Sequence, residues 1–282
     1  MRVALLGVGR MGAELGRHIL TAGHQLTVWN RSAEKAKTLV AAGAKEVKTP
    51  EEATKDAEIV VTCLFGPDAV DEIALNGNTI QKGQIWLDVT TVGPEDCERY
   101  SIWAKAHGIR YVAAPVIGSL GPARAGQLGT YLGGDPKDIE AILPIVRLWS
   151  DPKRIVTTEK ASAAAVGKLI ANMALAISLE GLRECLQFGQ TQGLTNEQVI
   201  AMLKGTALDW TANFKGPMIR QNDFSDTQFS VDLLAKDIRL MFQAANKEAN
   251  LPALAAALNS LQETQELGFG DDDIAAMAGN PV

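Results

Sequence analysis

A short apolar strand that runs straight into a glycine-rich turn constrains the fold of this chain most strongly. Residues 3–6 are followed at once by Gly7-Val8-Gly9-Arg10-Met11-Gly12 and then by a helical pattern. In this order the first glycine makes a tight turn, the second lets the backbone approach a pyrophosphate, and the third lets the helix pack against the strand. The helix N-terminus then faces the phosphate. The sequence therefore predicts a dinucleotide site that includes Gly7, Val8, Gly9, Arg10 and Met11.

The end of the next predicted strand indicates which dinucleotide binds. Residues 25–29 have the pattern of a strand, and its tip is Asn30-Arg31-Ser32, with Lys35 nearby, rather than an Asp or a Glu. An acid there would accept hydrogen bonds from a ribose 2′-hydroxyl, whereas a guanidinium, an amide and a hydroxyl suit a 2′-phosphate. The tip predicts NADP(H) rather than NAD(H) as the cofactor.

Composition and charge exclude several classes of protein. The chain has 282 residues, of which 46% are hydrophobic, and this content is typical of a globular protein. Its formal net charge of -6 argues against nucleic acid or an anionic membrane as the main partner. Its three cysteines and three histidines lack metal-ligand spacing, so neither a disulfide framework nor a metal site is predicted. The chain shows no signal-peptide pattern, and its longest apolar stretch contains Lys168 and Asn172. A cytoplasmic protein without a membrane span is expected.

Two kinds of pattern divide the chain into two predicted domains. Up to about residue 150 short apolar runs alternate with amphipathic stretches, which indicates βαβ units, whereas after Pro152 the strand pattern fades and helical patterns follow. The predicted fold class is α/β, with a Rossmann-type doubly wound parallel sheet in residues 1–160 and an all-helical C-terminal domain in residues 161–282. The predicted strands are 3–6, 26–29, 59–62, 85–87, 111–113 and 130–132. The predicted helices of the second domain are 162–190, 195–204, 231–249 and 252–267. Thr195 and Gln198 are expected to form a capping box at the start of the second of these helices.

Segments that follow the predicted strands supply further candidate contacts. Ligands of open α/β sheets bind at the carboxyl ends of the strands, so Cys63-Leu64-Phe65 and the segment containing Thr91 are expected to line the cofactor crevice. The glycine- and proline-containing loop 114–126 follows the fifth strand at the same edge. Its candidate substrate contacts are Pro115, Ile117, Gly118 and Ser119, and an ordered connection without function is the alternative.

One lysine is isolated in a long apolar segment. Lys168 is the only charged residue between Lys160 and Glu180. A helix this apolar on every face is expected to be buried, and a buried lysine is costly unless it has a partner or a function. Asn172 lies one helical turn further on, so both side chains project from one face and are the catalytic candidates. A lysine that snorkels to the surface beside a core asparagine is an equal alternative on composition alone.

These motifs together resemble the β-hydroxyacid dehydrogenase family, which includes 3-hydroxyisobutyrate dehydrogenases and glyoxylate/succinic semialdehyde reductases, over nearly the whole chain. The resemblance implies that Lys168 is catalytic, that Asn172 contacts the substrate, and that Thr91 and Lys236 contact the cofactor. It also implies a long helix between the domains and a homodimer or homotetramer with interlocked helical domains. The matching pieces are Gly7-x-Gly9-x-Met11-Gly12, Asn30-Arg31-Ser32, Asp88-x-Thr90-Thr91, Ala114-Pro115-Val116, Lys168 with Asn172, and Leu234-Ala235-Lys236-Asp237.

Two departures from the family pattern point toward a related group. Ile117-Gly118-Ser119 stands where the family usually has Ser-Gly-Gly for a substrate carboxylate, and Ser162 and Ala164 replace glycines ahead of the lysine. Residues 115–118 and 28–32 are similar to the corresponding segments of imine reductases. Those enzymes differ from this chain in that they usually carry Asp or Tyr in place of Lys168.

The expected function is therefore NADPH-dependent reduction of an aldehyde or keto group. Lys168 is the expected proton donor to the developing alkoxide and Asn172 the orienting group. Imine reduction on the same scaffold and a cofactor-binding module without catalysis are the alternatives, so the expected partner is a small carbonyl or imine substrate.

Overall fold

The computed structural model describes residues 1–246 and 248–279. The chain divides into two compact units, Met1–Lys168 (unit 1) and Leu169–Val282 (unit 2). The predicted boundary after residue 160 coincides with the start of a long helix, Ala161–Thr191, and the compact units divide within that helix. Lys247, in the predicted helix 231–249, and residues 280–282, in the predicted helical domain, lie outside the described residues.

Unit 1 is built on a nine-stranded sheet. Its strands are β1 (Arg2–Leu6), β2 (Gln25–Trp29), β3 (Lys45–Glu46), β4 (Ile59–Thr62), β5 (Ile85–Asp88), β6 (Arg110–Ala113), β7 (Val116–Ile117), β8 (Leu128–Gly134) and β9 (Ser150–Thr158). Its helices are α1 (Arg10–Thr21), α2 (Lys37–Ala41), α3 (Pro50–Thr54), α4 (Pro67–Val70), α5 (Pro94–Ala106), α6 (Leu120–Arg124) and α7 (Pro136–Val146), and α8 (Ala161–Thr191) begins there. The strand order is β3-β2-β1-β4-β5-β6-β8-β7, with β9 paired to β8.

Side chains of β1 alternate between two hydrophobic cores. Val3 and Leu5 pack on the side of the sheet that contains Leu15 of α1, whereas Ala4 and Leu6 pack on the side that contains Trp86 and Tyr100. Because both faces of the sheet are covered at its centre, residues 3–6 of β1 and 59–61 of β4 are apolar without interruption, as parallel strands in doubly wound folds are. The predicted fold class, a Rossmann-type sheet followed by a helical region, is confirmed.

The far edge of the sheet differs from the prediction. Strand β8 runs antiparallel to β6 and β7, and β9 pairs with β8 in parallel. The expectation that strands end after Pro152 was wrong, because β9 extends to Thr158. Most side chains of β9 are exposed or half-buried, and Pro152 lies inside it, which is possible because the strand lies at the edge of the sheet. A polar edge strand lacks the apolar pattern on which the prediction depended.

Unit 2 is helical. It contains the rest of α8, followed by α9 (Asn196–Met202), α10 (Asp209–Gln221), α11 (Val231–Ala244), α12 (Pro252–Glu266) and α13 (Ala275–Gly279). The predicted capping box of α9 is formed, since Gln198 N donates to Thr195 Oγ1 at 3.3 Å and Thr195 N donates to Gln198 Oε1 at 2.8 Å. Helix α10 was not predicted, because Gly216 and Pro217 interrupt its pattern.

Candidate active site

The candidate cofactor residues of unit 1 lie along one edge of the sheet. Trp29, Leu6, Thr62, Asp88 and Ala113, at the ends of five adjacent parallel strands, pair in register. The segments that follow these residues therefore begin at the same edge, where ligands of open α/β sheets bind. This register brings together the glycine-rich turn, the tip of β2 and the loops that contain Cys63, Thr91 and Pro115.

The glycine-rich turn has the geometry that the sequence predicts. Gly7 has a φ of +101°, and a Cβ at this position would collide with the carbonyl oxygen of Cys63. A Cβ on Gly12 would in turn collide with the carbonyl oxygen of Gly7, so α1 can approach β1 only with glycine there. A Cβ on Gly9 would meet nothing within 4 Å, so the backbone faces open space just before α1 begins at Arg10. This open N-terminus of a helix fits a dinucleotide pyrophosphate.

Asn30 connects the turn to the tip of β2. Its Oδ1 accepts a hydrogen bond from Val8 N at 2.9 Å, and its Nδ2 donates to Ser32 O at 2.8 Å. The amide thus holds the glycine-rich turn and the residues after β2 in one arrangement. The sequence assigned this side chain to the phosphate and did not indicate the bracing role.

Arg31, at the cationic tip of β2, has an acidic partner from another element, which the sequence did not indicate. Arg31 donates a hydrogen bond to Glu72 Oε2 at 2.8 Å, and both side chains are exposed. Glu72 lies in a π-helical turn, Asp71–Asn76, and Lys35 lies in the 3₁₀ helix Ala33–Ala36. An exposed ion pair of this kind contributes little stability, and a bound phosphate would compete for the same guanidinium.

A buried network supports the loops after β4 and β5. Thr62 Oγ1 and Thr90 N donate to Asp88 Oδ1 at 2.7 Å and 3.0 Å, and Leu64 N donates to Thr90 Oγ1 at 3.1 Å. Desolvation raises the pKa of Asp88 to about 6, against the lowering effect of the hydrogen bonds from Thr62 and Thr90. Desolvation also raises the pKa of the Cys63 thiol to about 12, so this side chain is a neutral thiol rather than a nucleophile at neutral pH.

The candidate substrate loop is an ordered part of the sheet edge. Ile117 ends β7, Gly118 has a φ of +130°, and Ser119 precedes α6. Tyr131 N donates to Pro115 O at 3.1 Å, and a Cβ on Gly167 would lie 3.2 Å from the Tyr131 ring. Because Gly167 precedes Lys168 on α8, one tyrosine of β8 contacts both this loop and the helix that carries the candidate lysine.

Helix α8 carries both catalytic candidates, but it is not buried on every side. Lys168 is half-buried and Asn172 is buried, one turn apart on the same face. A single copy of the chain does not bury α8 on every face, because the apolar side chains of one stripe remain exposed: Val166 (41%), Ile170 (59%), Ile177 (38%) and Phe188 (70%).

By length and composition α8 is apolar enough to cross a membrane, as core helices of water-soluble domains also are. Its buried face includes Ala176, Leu179, Leu182 and Leu186, which pack in the core of unit 2. This face of α8 therefore packs in a hydrophobic core of unit 2.

A carboxylate in unit 2 joins two of the candidate residues. Asn172 Nδ2 donates to Asp237 Oδ2 at 2.6 Å, and Lys236 Nζ lies 2.9 Å from Asp237 Oδ1. Asp237 is buried on α11, next to Lys236 in the chain. Asp237 belongs to a motif that matches the family, Leu234-Ala235-Lys236-Asp237, but the sequence analysis gave it no role. Its position next to Lys236 was the only sequence signal that could have indicated one.

Within residues 1–246 and 248–279, no group of three or more His, Cys, Asp or Glu side chains could hold a metal ion.

The glycine-rich turn and the neighbouring loops of unit 1 form a cradle for a dinucleotide. Helix α8 provides a half-buried lysine with a buried asparagine one turn away. A dinucleotide cradle is the part that a nicotinamide-dependent oxidoreductase requires.

Comparisons with known proteins agree with this class. Residues 2–164 match the NAD binding domain of 6-phosphogluconate dehydrogenase, and residues 162–280 match the NAD-binding domain of NADP-dependent 3-hydroxyisobutyrate dehydrogenase. The uncharacterized oxidoreductase YfjR of Bacillus subtilis is 30% identical, over 98% of each chain. Glyoxylate/succinic semialdehyde reductase 2 of Arabidopsis thaliana is 29% identical, over 98% of this chain and 78% of its own. The protein belongs to the β-hydroxyacid dehydrogenase family of NAD(P)-dependent oxidoreductases.

Solved structures share the fold. The 3-hydroxyisobutyrate dehydrogenase of Mycobacterium tuberculosis, solved with L-serine, has a TM-score of 0.85 at 24% identity and covers 98% of this chain and 97% of its own. An imine reductase variant from Myxococcus stipitatus, solved with NAD+, has a TM-score of 0.67 at 18% identity and covers 98% of this chain and 96% of its own. Both groups thus use one scaffold, and both cofactors occur among the similar proteins.

Proposed function

We propose that this protein is an NADPH-dependent reductase of aldehyde or keto groups, with Lys168 as the proton donor. The observation that carries the proposal is the half-buried Lys168 one turn from Asn172 on α8, in a chain with a dinucleotide cradle in unit 1. A bound nicotinamide would supply the hydride to the carbonyl carbon. The residues of unit 1 proposed to hold the dinucleotide are Gly7, Val8, Gly9, Arg10, Met11, Arg31, Ser32, Lys35, Cys63, Leu64, Phe65 and Thr91, with Asn30 bracing the glycine-rich turn and the tip of β2. Lys236 of unit 2 is proposed as a further cofactor contact on the resemblance to the family alone.

Lys168 is proposed to transfer the proton, and Asn172 to orient the substrate. As the carbonyl carbon gains a hydride, its oxygen becomes an alkoxide and takes a proton from the Lys168 ammonium, which later regains one from water. Asn172 orients the substrate, and Asp237 fixes the orientation of the Asn172 amide by accepting from its Nδ2. The reverse reaction, oxidation of a hydroxyl, uses the same groups in the opposite order.

A substrate panel tests the proposal. NADPH oxidation is measured with glyoxylate and semialdehydes on one side and cyclic imines on the other. Turnover of at least one carbonyl substrate is expected. Turnover of imines alone would replace the proposal by the imine reductase alternative, and NADPH binding without any turnover would favour a cofactor-binding module.

One observation favours imine reduction as the second candidate. Ile117, at the end of β7, has an apolar side chain where a hydroxyl would receive a substrate carboxylate. A substrate without a carboxylate, such as a cyclic imine, loses no hydrogen bond there.

The cofactor preference rests on Arg31. Replacing Arg31 by Glu is expected to weaken NADPH binding by about 2 kcal/mol or more, which is about 30-fold, because the 2′-phosphate loses its partner. NADH binding should be unchanged or tighter, because the new carboxylate can accept a hydrogen bond from the ribose 2′-hydroxyl. Fluorescence titration of both cofactors measures this. Glu72→Gln removes the competing carboxylate and is expected to tighten NADPH binding a few-fold.

Lys137→Glu on α7 makes the same charge change at another exposed site and is the control. Equal catalytic efficiency of the unmutated protein with NADH and NADPH would contradict the proposed preference.

We also propose a homodimer or homotetramer in the cytoplasm, with no nucleic-acid or membrane partner. The exposed apolar side chains of α8 (166, 170, 177 and 188) lie within about 40° of one another around the helix axis, so they form one stripe. A stripe of this kind suits a second copy of the chain.

Solution scattering at micromolar concentration is expected to give at least twice the chain mass of 30.1 kDa. Ile177→Glu is expected to dissociate the assembly, whereas Ile102→Glu, at a position on α5 that is 72% exposed, leaves it intact. A fully active monomer would contradict the proposal.

A further inference from the structure

A buried carboxylate at the end of β5 has no part in the chemistry proposed above. Asp88 is 1% exposed and accepts hydrogen bonds from three donors. Thr62 Oγ1 and Thr90 N reach its Oδ1, at 2.7 Å and 3.0 Å, and the Tyr111 hydroxyl reaches its Oδ2 at 3.2 Å. Burying a carboxylate is costly unless it is hydrogen-bonded, and these three donors offset that cost.

The direction of these hydrogen bonds is determined by their neighbours. Trp86 Nε1 donates to Thr62 Oγ1 at 2.8 Å, and because an indole N–H only donates, the Thr62 hydroxyl proton is left for Asp88. The Thr90 contact comes from a backbone N–H and has only one direction. Asp88 Oδ1 is therefore an acceptor of two fixed donors from β4 and from the segment after β5.

The network continues into the loops at the cofactor edge. Thr90, held by Asp88 through its N–H, accepts a hydrogen bond at Oγ1 from Leu64 N at 3.1 Å. Leu64 lies in the loop after β4, and Thr91 follows Thr90 directly. One carboxylate thus connects the two loops that contain the candidate cofactor residues Cys63, Leu64 and Thr91.

We propose that Asp88 is a positioning residue for the dinucleotide, which orients the loops after β4 and β5 through Thr90. This proposal rests on the proposed function only in that the protein binds a nicotinamide dinucleotide. It assigns Asp88 no contact with cofactor or substrate. What the side chain must supply is an acceptor at Oδ1, shared by Thr62 and Thr90.

The hydrogen bond between Tyr111 and Asp88 Oδ2 can reverse its direction if Asp88 is replaced by asparagine. The Tyr111 hydroxyl lies 3.2 Å from Asp88 Oδ2 and 3.6 Å from Cys97 Sγ, so it can donate to either. If an amide N–H₂ replaces Oδ2, that group can donate to the tyrosine oxygen while Tyr111 donates to the sulfur. Asparagine therefore preserves the Oδ1 acceptor and should substitute for Asp88, whereas alanine should not.

The test measures NADPH binding by nicotinamide fluorescence without substrate, well below the melting temperature of each variant. Asp88→Ala is expected to raise the Kd for NADPH tenfold or more, and Asp88→Asn to leave it within threefold of the parent. Thr90→Val keeps the backbone N–H that reaches Asp88 and removes the acceptor of Leu64, so it is expected to raise the Kd threefold to tenfold.

Thr130→Val is the matched control for lost stability. Thr130 Oγ1 and Ser150 Oγ form a buried 2.7 Å hydrogen bond between β8 and β9, so its loss should lower the melting temperature and leave the Kd unchanged. Should Asp88→Ala fail to fold, Asp88→Asn and Thr90→Val still decide the matter.

Parental Kd values in Thr90→Val would overturn the proposal, and so would an Asp88→Asn variant that binds NADPH more than tenfold more weakly than the parent. Failure of the proposed reductase function would be recognised separately, as tight NADPH binding by the parent without turnover of any substrate.

Discussion

Replacing Lys168 by Met is expected to lower the turnover number for a carbonyl substrate by about 10² to 10⁴. Methionine keeps the apolar stem and removes only the ammonium, so the alkoxide loses its proton donor. Binding of NADPH should be nearly unchanged, because other residues hold the cofactor. Stopped-flow NADPH oxidation and a fluorescence titration measure the two quantities, and Lys168→Ala should give a loss of the same order.

Lys160→Met is the matched control, since Lys160 is an exposed lysine just ahead of α8 and should tolerate the same exchange without loss of turnover. A Lys168→Met variant as fast as the parent on a carbonyl would make Lys168 structural. Imine reduction, in which a substrate iminium can arrive already protonated, would then be the better account.

Breaking the buried ion pair of unit 2 is expected to have the largest effect on stability. Lys215 Nζ lies 2.7 Å from Asp273 Oδ1, with side chains 1% and 0% exposed, and Asp273 Oδ2 also accepts from Gln228 N at 2.9 Å and Phe229 N at 3.2 Å. Desolvation lowers the pKa of Lys215, while Asp273 opposes that shift. Lys215→Met leaves the Asp273 charge buried and unpaired, so the free energy of unfolding should fall by about 3–5 kcal/mol.

Urea unfolding measures this loss, and hydrogen exchange in residues 209–221 and 273–279 assigns it to unit 2. The double variant Lys215→Met/Asp273→Asn should lose less than the two single variants together, because no unpaired charge remains. Lys37→Met, which breaks an exposed pair with Glu34, should cost less than about 1 kcal/mol. A loss below 1 kcal/mol in Lys215→Met would contradict the structural role of the pair.

Local signals predicted much of unit 1. The glycine-rich turn lies next to an apolar strand and a helix in the chain, so its geometry follows from neighbouring residues alone. Strand β4 was predicted with its observed limits, Ile59–Thr62, because its four residues are apolar or β-branched and buried. In unit 2 the capping box of α9 was also predicted from a local signal, because its two partners, Thr195 and Gln198, are three residues apart.

Elements with a weak local pattern were missed. Strand β9 is polar and exposed, and it exists because β8 supplies the hydrogen-bonding partner. Helix α10 contains Gly216 and Pro217, and packing in unit 2 outweighs their low helix propensity. Neither of these forces is visible in a window of a few residues.

The sequence by itself determined the class of fold, the glycine cradle and the pairing of Lys168 with Asn172 on one helix face, because each depends on residues within a few positions of one another. Only the tertiary structure decided the partners of the polar side chains. Glu72 pairs with Arg31 across 41 positions, Asp237 with Asn172 across 65, and Asp88 with Thr62 across 26. These contacts require strands and helices far apart in the chain to come together, and no local pattern specifies which carboxylate will meet which donor.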